Sequence, residues 1–341
     1  MTDVYIVIKK YFRFLFTLFL IIPVISTCTK RLQPNIKEII PAGLSAEEQL
    51  IQLIKQNGEG INKYYILDDK GCPIIKADIT HEGINYEVTY FLEDAELFSD
   101  SAYIIRFFLL EKDNETENII EDTLIWKPFI GSAGLLISMD DDFFEAWENN
   151  FDMFDKYEAR ITFFIQGMYT PFMEKAINRG HDIGYHSLNH KDLRRMSYRN
   201  LLIEVIEPAE NIRKNNIPLL SFAFPFGFSD SQSREILFEH FYILRGYGTT
   251  LRIYKENEIN SGYIISRAID NIVIPDEDNY DRLINLMLRT VKFLGDGWIL
   301  PLTTHDISDT SWGITLQRLE FLLQTAKDLG LRFYCYSDFV N

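Results

Sequence analysis

The chain has 341 residues, of which 47% are hydrophobic and 14% aromatic, so it can build one large domain and a smaller one. The formal net charge of −16 argues against an extended nucleic-acid interface, and no nucleic-acid partner is expected. The 3 cysteines are far apart, and their spacing is not typical of a disulfide framework or a zinc knot.

The N-terminus has the pattern of a signal peptide. Lys9, Lys10 and Arg13 precede FLFTLFLIIPVIS, an apolar run of 13 residues that is short for a membrane span. The run ends in ISTC, which resembles a bacterial lipoprotein cleavage box, and this predicts removal of residues 1–27 and lipidation of Cys28. An uncleaved anchor helix and a secretory signal cut nearby remain alternatives. All three place the body of the protein outside the cytoplasm, and the lipoprotein reading makes the membrane a partner through a lipid anchor.

The next segments predict a tether and a small β-rich domain. Residues 28–44 contain prolines and glycine without periodicity and are read as a tether. In residues 45–130, a helix is predicted at 45–56, followed by short β-rich runs between 61 and 127. These runs predict a small antiparallel domain, to which the sequence assigns no function.

From residue 131 to 341, apolar strand-like runs alternate with segments of helical length. The predicted strands are 135–139, 161–165, 182–185, 219–224, 242–246, 263–267, 298–304 and 331–335. The predicted helices are 143–156, 171–179, 197–214, 278–294 and 315–328. Repeated βα units imply a parallel sheet or a barrel, and seven or eight of them favour an α/β barrel.

Polar or turn-forming residues follow four of these strands. They are Asp140 to Asp142, His186 with His190, Pro225 to Gly227, and His305 with Asp306. Carboxylates also cap helices and Pro-Gly also makes turns, so each group alone has an ordinary structural explanation. Active sites of βα barrels lie at the C-terminal strand ends, and the coincidence of all four favours a site there.

The two histidines of HSLNH are four apart, a spacing that places both on one face of a helical turn. Alone, the pair is more often two ordinary histidines. With a carboxylate, however, two imidazoles suit Zn²⁺, Co²⁺ or Fe²⁺ and leave positions open for water and substrate. A second carboxylate could take a proton from water, a histidine could protonate a leaving group, and a tight turn could hold an oxyanion. These parts describe metal-assisted hydrolysis of an amide or ester.

The order of these motifs resembles the polysaccharide deacetylase family, carbohydrate esterase family four. SMDDD (138–142) is similar to its first motif, GHDIGYHSLNH (180–190) to its histidine motif, FAFPFG (222–227) to its third motif and LTTHD (302–306) to its late histidine motif. The resemblance covers about 131–341 and implies a distorted (β/α)7–8 barrel. It also implies a hydrolase that removes acetyl groups from an acetylated glycan, as an N-acetyl amide of an amino-sugar polymer or an O-acetyl ester.

The resemblance also implies a role for each matching residue. Asp140 would be the catalytic base, His305 the general acid and the Phe226 N–H an oxyanion donor. The divalent metal, with Zn²⁺ favoured over Co²⁺ or Fe²⁺, would be held by Asp141, His186 and His190.

The sequence departs from the family pattern at several positions. Asp142 replaces a glycine, and Ala223 stands where an arginine usually steadies the base. Arg245, at the end of the next strand, is the candidate substitute. Asp270 is a weak candidate for the fourth motif.

Two other interpretations of the function remain open from the sequence alone. A catalytically weak carbohydrate-binding surface lipoprotein is supported mainly by Ala223, whereas the retained Asp140 counts against it. A non-haem iron oxygenase would use the same two histidines and one carboxylate. The additional base and acid favour hydrolysis.

Overall fold

The computed structural model describes residues 46–56, 61–99, 102–112, 119–126, 131–260 and 262–340. The predicted signal peptide, the tether and Cys28 lie outside these residues. Within the described part of the chain, no helix combines the length and the apolar character needed to cross a membrane. Cys335 is a buried free thiol and Cys72 a partly buried one.

The five β-rich runs predicted between 61 and 127 form an antiparallel sheet with its strands in chain order. The strands are β1 (Lys63–Leu67), β2 (Pro73–His81), β3 (Ile84–Ser99), β4 (Ala102–Glu111) and β5 (Ile119–Trp126). Helix α1 (Ala46–Gln56) precedes them and buries Leu50 and Ile54 completely. Buried side chains alternate with more accessible ones along β2 and β4, which gives the sheet one buried apolar face.

Seven parallel strands form a closed barrel after this sheet, because the last of them pairs with the first. They are β6 (Gly134–Asp141), β7 (Ile161–Ile165), β8 (Asp182–Tyr185), β9 (Ser221–Ala223), β10 (Ile243–Gly248), β12 (Tyr263–Ala268) and β13 (Trp298–Thr304). The short strand β11 (Tyr254–Lys255) lies antiparallel on β13. The prediction of an α/β barrel is confirmed.

The eighth predicted strand, β16 (Arg332–Tyr334), distorts the barrel and does not extend its ring. It pairs with Gly134 to Leu136, the first half of β6. Strand β7 pairs with Ile137 to Asp141, the second half of the same strand. Two strands therefore share one edge of β6.

The helices connect successive strands. They are α2 (Phe144–Glu148), α3 (Phe151–Lys156), α4 (Pro171–Asn178), α5 (Tyr198–Leu201), α6 (Glu207–Arg213), α7 (Ser231–Phe238), α8 (Glu256–Ile259), α9 (Glu277–Leu294) and α10 (Leu316–Asp328). A π-helical turn, Leu202–Ile206, joins α5 to α6, and 3₁₀ turns occupy Pro225–Gly227 and Tyr336–Phe339. Strands β14 (Asp306–Ile307) and β15 (Gly313–Ile314) pair with each other.

The single helix predicted at 143–156 is wrong, because the chain makes two short helices there. Asn149 and Asn150 separate them. Asparagine side chains compete with the helix for backbone hydrogen bonds and favour helix ends. Asn150 stands at the N-cap position of the second helix, and its side-chain Nδ2 donates to the Ala146 carbonyl oxygen of the first helix at 2.8 Å.

The apolar face of the N-terminal sheet packs against α9 of the barrel. The rings of Tyr90 and Trp126 lie 5.0 and 5.3 Å from that of Phe293. Arg282 on the same helix forms an ion pair with Glu93 on β3. The hydrophobic core is therefore continuous from the sheet into the barrel.

Candidate active site

The polar residues predicted at four strand ends meet at the C-terminal mouth of the barrel. Asp140 and Asp141 end β6, His186 follows β8, and His305 follows β13. Asp140 lies close enough to His186 and His305 for both imidazoles to affect its ionisation. The closed sheet thus gathers groups that are up to 165 positions apart in the chain.

Asp141, His186 and His190 form the one cluster of this kind in the described chain that could hold a metal ion, with ligand atoms within 4.8 Å of one another. Asp141 Oδ1 lies 3.5 Å from His186 Nε2 and 3.4 Å from His190 Nε2. Burial, together with the neighbouring carboxylate of Asp140, raises the pKa of Asp141. A cation held at this point would oppose that shift, because it stabilises the ionised carboxylate.

The tautomer of His186 follows from its surroundings. Its Nδ1 lies 2.8 Å from the Ala223 carbonyl oxygen, which can only accept, so Nδ1 carries the proton. The lone pair of Nε2 then faces Asp141. Burial lowers the pKa of His186 to about 3, so the imidazole is neutral at physiological pH and suited to a metal ligand.

The loop that carries the two histidines is not the helical turn expected from their spacing, and that prediction is wrong. Residues 186–190 are irregular, and Ser187 and His190 have left-handed φ angles of 73° and 52°. The His190 N–H donates to Ser187 Oγ at 3.0 Å, which closes a tight turn. The two rings converge, with centroids 4.9 Å apart.

Four of the eight non-glycine residues with left-handed φ angles in the described chain lie around this cluster. Left-handed φ angles also occur at Asp141 (84°) and Phe226 (59°). Each such conformation costs about 1–3 kcal/mol for a residue other than glycine and persists only when the surrounding structure holds it. This distribution is typical of a functional site.

The base predicted from the sequence, Asp140, is completely buried and forms an ion pair with Arg245, which is equally buried. Burial alone would raise the pKa of Asp140, but the guanidinium of Arg245 and the nearby imidazoles outweigh it and hold the pKa below its usual value. The guanidinium also lies over the ring of Phe164, at 4.8 Å from the centroid. Asp140 Oδ2 is buried and has no hydrogen-bond partner in the described chain.

Arg245 reaches Asp140 from the strand next to the one that carries Ala223. The two residues are register partners on β9 and β10. Partners on neighbouring parallel strands point to the same side of the sheet, so an arginine on either strand can approach the same place. The substitution at 223 therefore leaves the base with a guanidinium partner.

His305, the predicted general acid, is held by the buried side chain of Asp270. Asp270 Oδ1 lies 3.1 Å from His305 Nδ1 and accepts the His305 backbone N–H at 3.2 Å. Burial lowers the pKa of His305, but the Asp270 hydrogen bond and the negative charges of Asp140 and Asp141 outweigh it and raise the pKa to about 8. The imidazole is therefore mostly protonated at neutral pH.

Phe226, the predicted oxyanion donor, lies in the 3₁₀ turn beside the metal-ligand cluster. Its ring stands 4.5 Å from that of His190 at an interplanar angle of 67°. The side chain is 44% exposed. The turn thus places an exposed Phe226 ring against His190.

Two residues near the site were missed by sequence reasoning. Glu204 is a buried carboxylate that contacts the loop between the two histidines. Trp312 is 51% exposed, and its ring centroid lies 5.7 Å from that of His305. A glutamate inside the apolar run 201–206, four residues before Pro208, could have indicated the first, whereas nothing in the sequence distinguishes the second.

The residues present fit a divalent metal ion. Asp141 Oδ1 is buried without a hydrogen-bond partner in the described chain, although two imidazole nitrogens face it. Buried polar atoms are nearly always paired, and a cation would satisfy this oxygen. Two neutral imidazoles and one carboxylate are a common donor set for first-row divalent metals.

Residues 133–242 match the family model described as polysaccharide deacetylase. The match extends from just before β6 to just before β10, so this part of the barrel is similar in sequence to polysaccharide deacetylases.

Several solved structures are similar to part of the chain. The Xyl-CE4 domain of a multidomain xylanase from the hindgut metagenome of Trinervitermes trinervoides is 17% identical, with a TM-score of 0.45 over 61% of this chain and 90% of that one. Peptidoglycan deacetylase PdaC from Bacillus subtilis is 16% identical, with a TM-score of 0.44 over 62% and 91%. The chitin deacetylase from Colletotrichum lindemuthianum is 14% identical, with a TM-score of 0.43 over 62% and 88%. No curated protein matches the sequence significantly.

Proposed function

We propose that the barrel is a metal-dependent deacetylase that acts on an acetylated glycan, either at an N-acetyl amide of an amino-sugar polymer or at an O-acetyl ester. The observation that carries the proposal is the buried Asp140–Arg245 ion pair beside the Asp141, His186 and His190 cluster. A binding protein needs no ionised carboxylate at this point. A hydrolase needs one to accept a proton from water.

Asp141, His186 and His190 would hold the metal. A zinc ion is favoured by this donor set, with Co²⁺ or Fe²⁺ as alternatives. When bound, such an ion lowers the pKa of water from 15.7 to ~7 and polarises a carbonyl.

Asp140 accepts a proton from the attacking water as the water oxygen bonds to the acetyl carbon. The Arg245 guanidinium keeps the carboxylate ionised, and Oδ2 is the oxygen with no competing hydrogen bond in the described chain. The Phe226 N–H donates to the carbonyl oxygen as negative charge develops on it.

His305 completes the reaction on the other side of the site. Its protonated imidazole donates a proton to the leaving nitrogen or oxygen while the bond to the acetyl carbon breaks, which releases acetate and the free sugar amine or hydroxyl. Asp270 accepts from Nδ1, so Nε2 is the nitrogen that delivers the proton. The raised pKa of His305 keeps that proton in place at neutral pH.

The alternative of a catalytically weak carbohydrate-binding lipoprotein loses its main support. It rested on the missing arginine at Ala223, and Arg245 supplies a guanidinium to the same carboxylate. An iron oxygenase would have no use for the Asp140 base or the His305–Asp270 pair. These contacts favour hydrolysis over both.

We further propose that the protein works outside the cytoplasm, anchored to the membrane of a bacterial cell envelope through a lipid on Cys28. The support is the basic segment, the apolar run and the cysteine box at the N-terminus.

The test is acetate release from a panel of acetylated glycans by the purified protein, with and without a chelator. We expect release that is lost with the chelator and restored by zinc. Binding of a glycan without chelator-sensitive acetate release from any member of the panel would overturn the deacetylase proposal in favour of the binding protein.

A further inference from the structure

The loop that presents His190 has little regular structure of its own. Ser187 and His190 both have left-handed φ angles. Between them, Leu188 and Asn189 make no strand or helix pairing. A loop in this conformation needs support from elsewhere in the fold, because left-handed backbone is unfavourable for these residues.

That support comes from Glu204, which lies in the π-helical turn and is 2% exposed. Its Oε1 accepts the Asn189 backbone N–H at 2.7 Å, and its Oε2 accepts Asn189 Nδ2 at 3.0 Å. Lys191 Nζ lies 3.1 Å from Oε2 and is the partner that faces solvent. The carboxylate therefore fixes the residue directly before His190.

The backbone of Glu204 holds the same loop. Its carbonyl oxygen accepts the Leu188 N–H at 2.9 Å. In a regular α-helix this carbonyl would bond the N–H four residues later, but that residue is Pro208, which has none. The π-helical turn and the proline together leave the carbonyl free for the loop, in keeping with the frequent placement of such turns at functional sites.

We propose that Glu204 is a positioning residue for the metal site, which holds His190 in its ligating orientation through two consecutive loop residues. The inference rests on the metal site of the proposed function, and it adds that the affinity for the metal depends on a carboxylate outside the ligand set. Outer partners of this kind change metal affinity by about 10–100-fold.

The test substitutes Glu204→Gln, which keeps the shape but places an amide where Asn189 Nδ2 and Lys191 require an acceptor. We expect the zinc dissociation constant, measured by competition with a chromogenic chelator well below the unfolding temperature, to rise about 10–100-fold. In metal-free protein, hydrogen exchange of the Leu188 and Asn189 amides should also become faster. The matched control is Glu207→Gln, an exposed glutamate three residues further along the same helix, which should change neither.

A second variant keeps the test decisive if Glu204→Gln does not fold. Asn189→Ala alters an exposed side chain and removes the Nδ2 contact alone, so a smaller, severalfold loss of zinc affinity is expected. Wild-type zinc affinity in every folded variant would overturn the inference even if the enzyme releases acetate. Weakened zinc binding in a protein that releases no acetate would support it and count only against the deacetylase proposal, whereas a wild type that binds no zinc would overturn both.

Discussion

Asp140 and Arg245 form a completely buried ion pair across 105 positions of the chain. Removing one member of a buried pair leaves a charge without compensation and costs about 3–5 kcal/mol. In the proposed mechanism the pair therefore couples stability to catalysis, because the same guanidinium that compensates the buried carboxylate also keeps it ionised.

The first prediction concerns that coupling. In Arg245→Met, burial of Asp140 is no longer opposed by the guanidinium, so the pKa of Asp140 rises. The acidic limb of the rate profile for acetate release should move to higher pH, and the protein should unfold at a lower temperature. If the folded Arg245→Met variant keeps the acidic limb of the wild-type profile, Asp140 is not the group whose ionisation limits the rate.

The register of β9 and β10 offers a way to restore a guanidinium partner to Asp140 when Arg245 is removed. The double substitution Ala223→Arg with Arg245→Ala moves the guanidinium to the neighbouring strand at the same level. We expect it to recover part of the lost activity and to return the acidic limb toward the wild-type position. Ala223→Arg alone places a second buried guanidinium beside Arg245 and should destabilise the fold.

The second prediction separates the base from the metal ligand. Asp140→Asn should retain zinc while acetate release falls by about 10²–10⁴-fold, which is the usual contribution of a general base. Asp141→Asn should lose zinc first and activity as a consequence. Metal content by mass spectrometry, measured on folded protein of each variant, distinguishes them, and loss of zinc in both would contradict the separate roles.

The third prediction uses the pKa of His305. A general acid must be protonated, so the rate should fall as pH rises through the pKa of about 8. Asp270→Asn removes the negative charge that raises this pKa, so the alkaline limb should move to lower pH. Asp309→Asn, an exposed acid on the following loop, is the control and should leave the limb in place. If the alkaline limb of Asp270→Asn stays at the wild-type pH, that limb reports the titration of a group other than His305.

The barrel was predictable from sequence because its strands are continuous buried runs. Three strands, 161–165, 182–185 and 298–304, have the predicted bounds, and each is apolar for most of its length. The site residues were predictable to the extent that they directly follow such strands. Their roles remain predictions, although the structure brings their side chains together.

The remaining features depend on tertiary contacts that leave no local pattern. The irregular loop of His186 and His190 is hydrogen-bonded by Glu204, which lies in the π-helical turn of the next helical segment. The partnership of Arg245 with Asp140 depends on strand register and barrel closure. The spacing of His186 and His190 favoured a helical turn for their loop. The position of Arg245 at a strand end made it only a candidate partner of Asp140.

The fourth prediction concerns the cellular location of the protein. Cys28→Ala removes the proposed lipidation site, so the mature chain should appear in the soluble fraction or remain unprocessed. Fractionation and intact mass of wild type and variant test this. Identical fractionation and mass would contradict the lipoprotein proposal and leave an ordinary signal peptide or an anchor.

The fifth prediction concerns Trp312, whose exposed ring lies beside His305 on the segment between β14 and β15. This segment is held firmly, since Asn271 Nδ2 donates to the carbonyl oxygens of Ser308 and Thr310. An exposed indole on a fixed loop beside the acid can stack on the apolar face of a sugar ring next to the acetylated one.

Trp312→Ala should therefore raise KM for an oligosaccharide by about tenfold, which corresponds to ~1.4 kcal/mol of lost contact, with a smaller effect on kcat. Hydrolysis of a small activated acetate ester, which cannot reach the indole, should be unchanged. Tyr242→Ala is the matched control, because Tyr242 is 53% exposed but directly precedes β10, at the opposite end of the barrel. An equal loss on both substrates would mean that Trp312 supports His305 and does not bind the glycan.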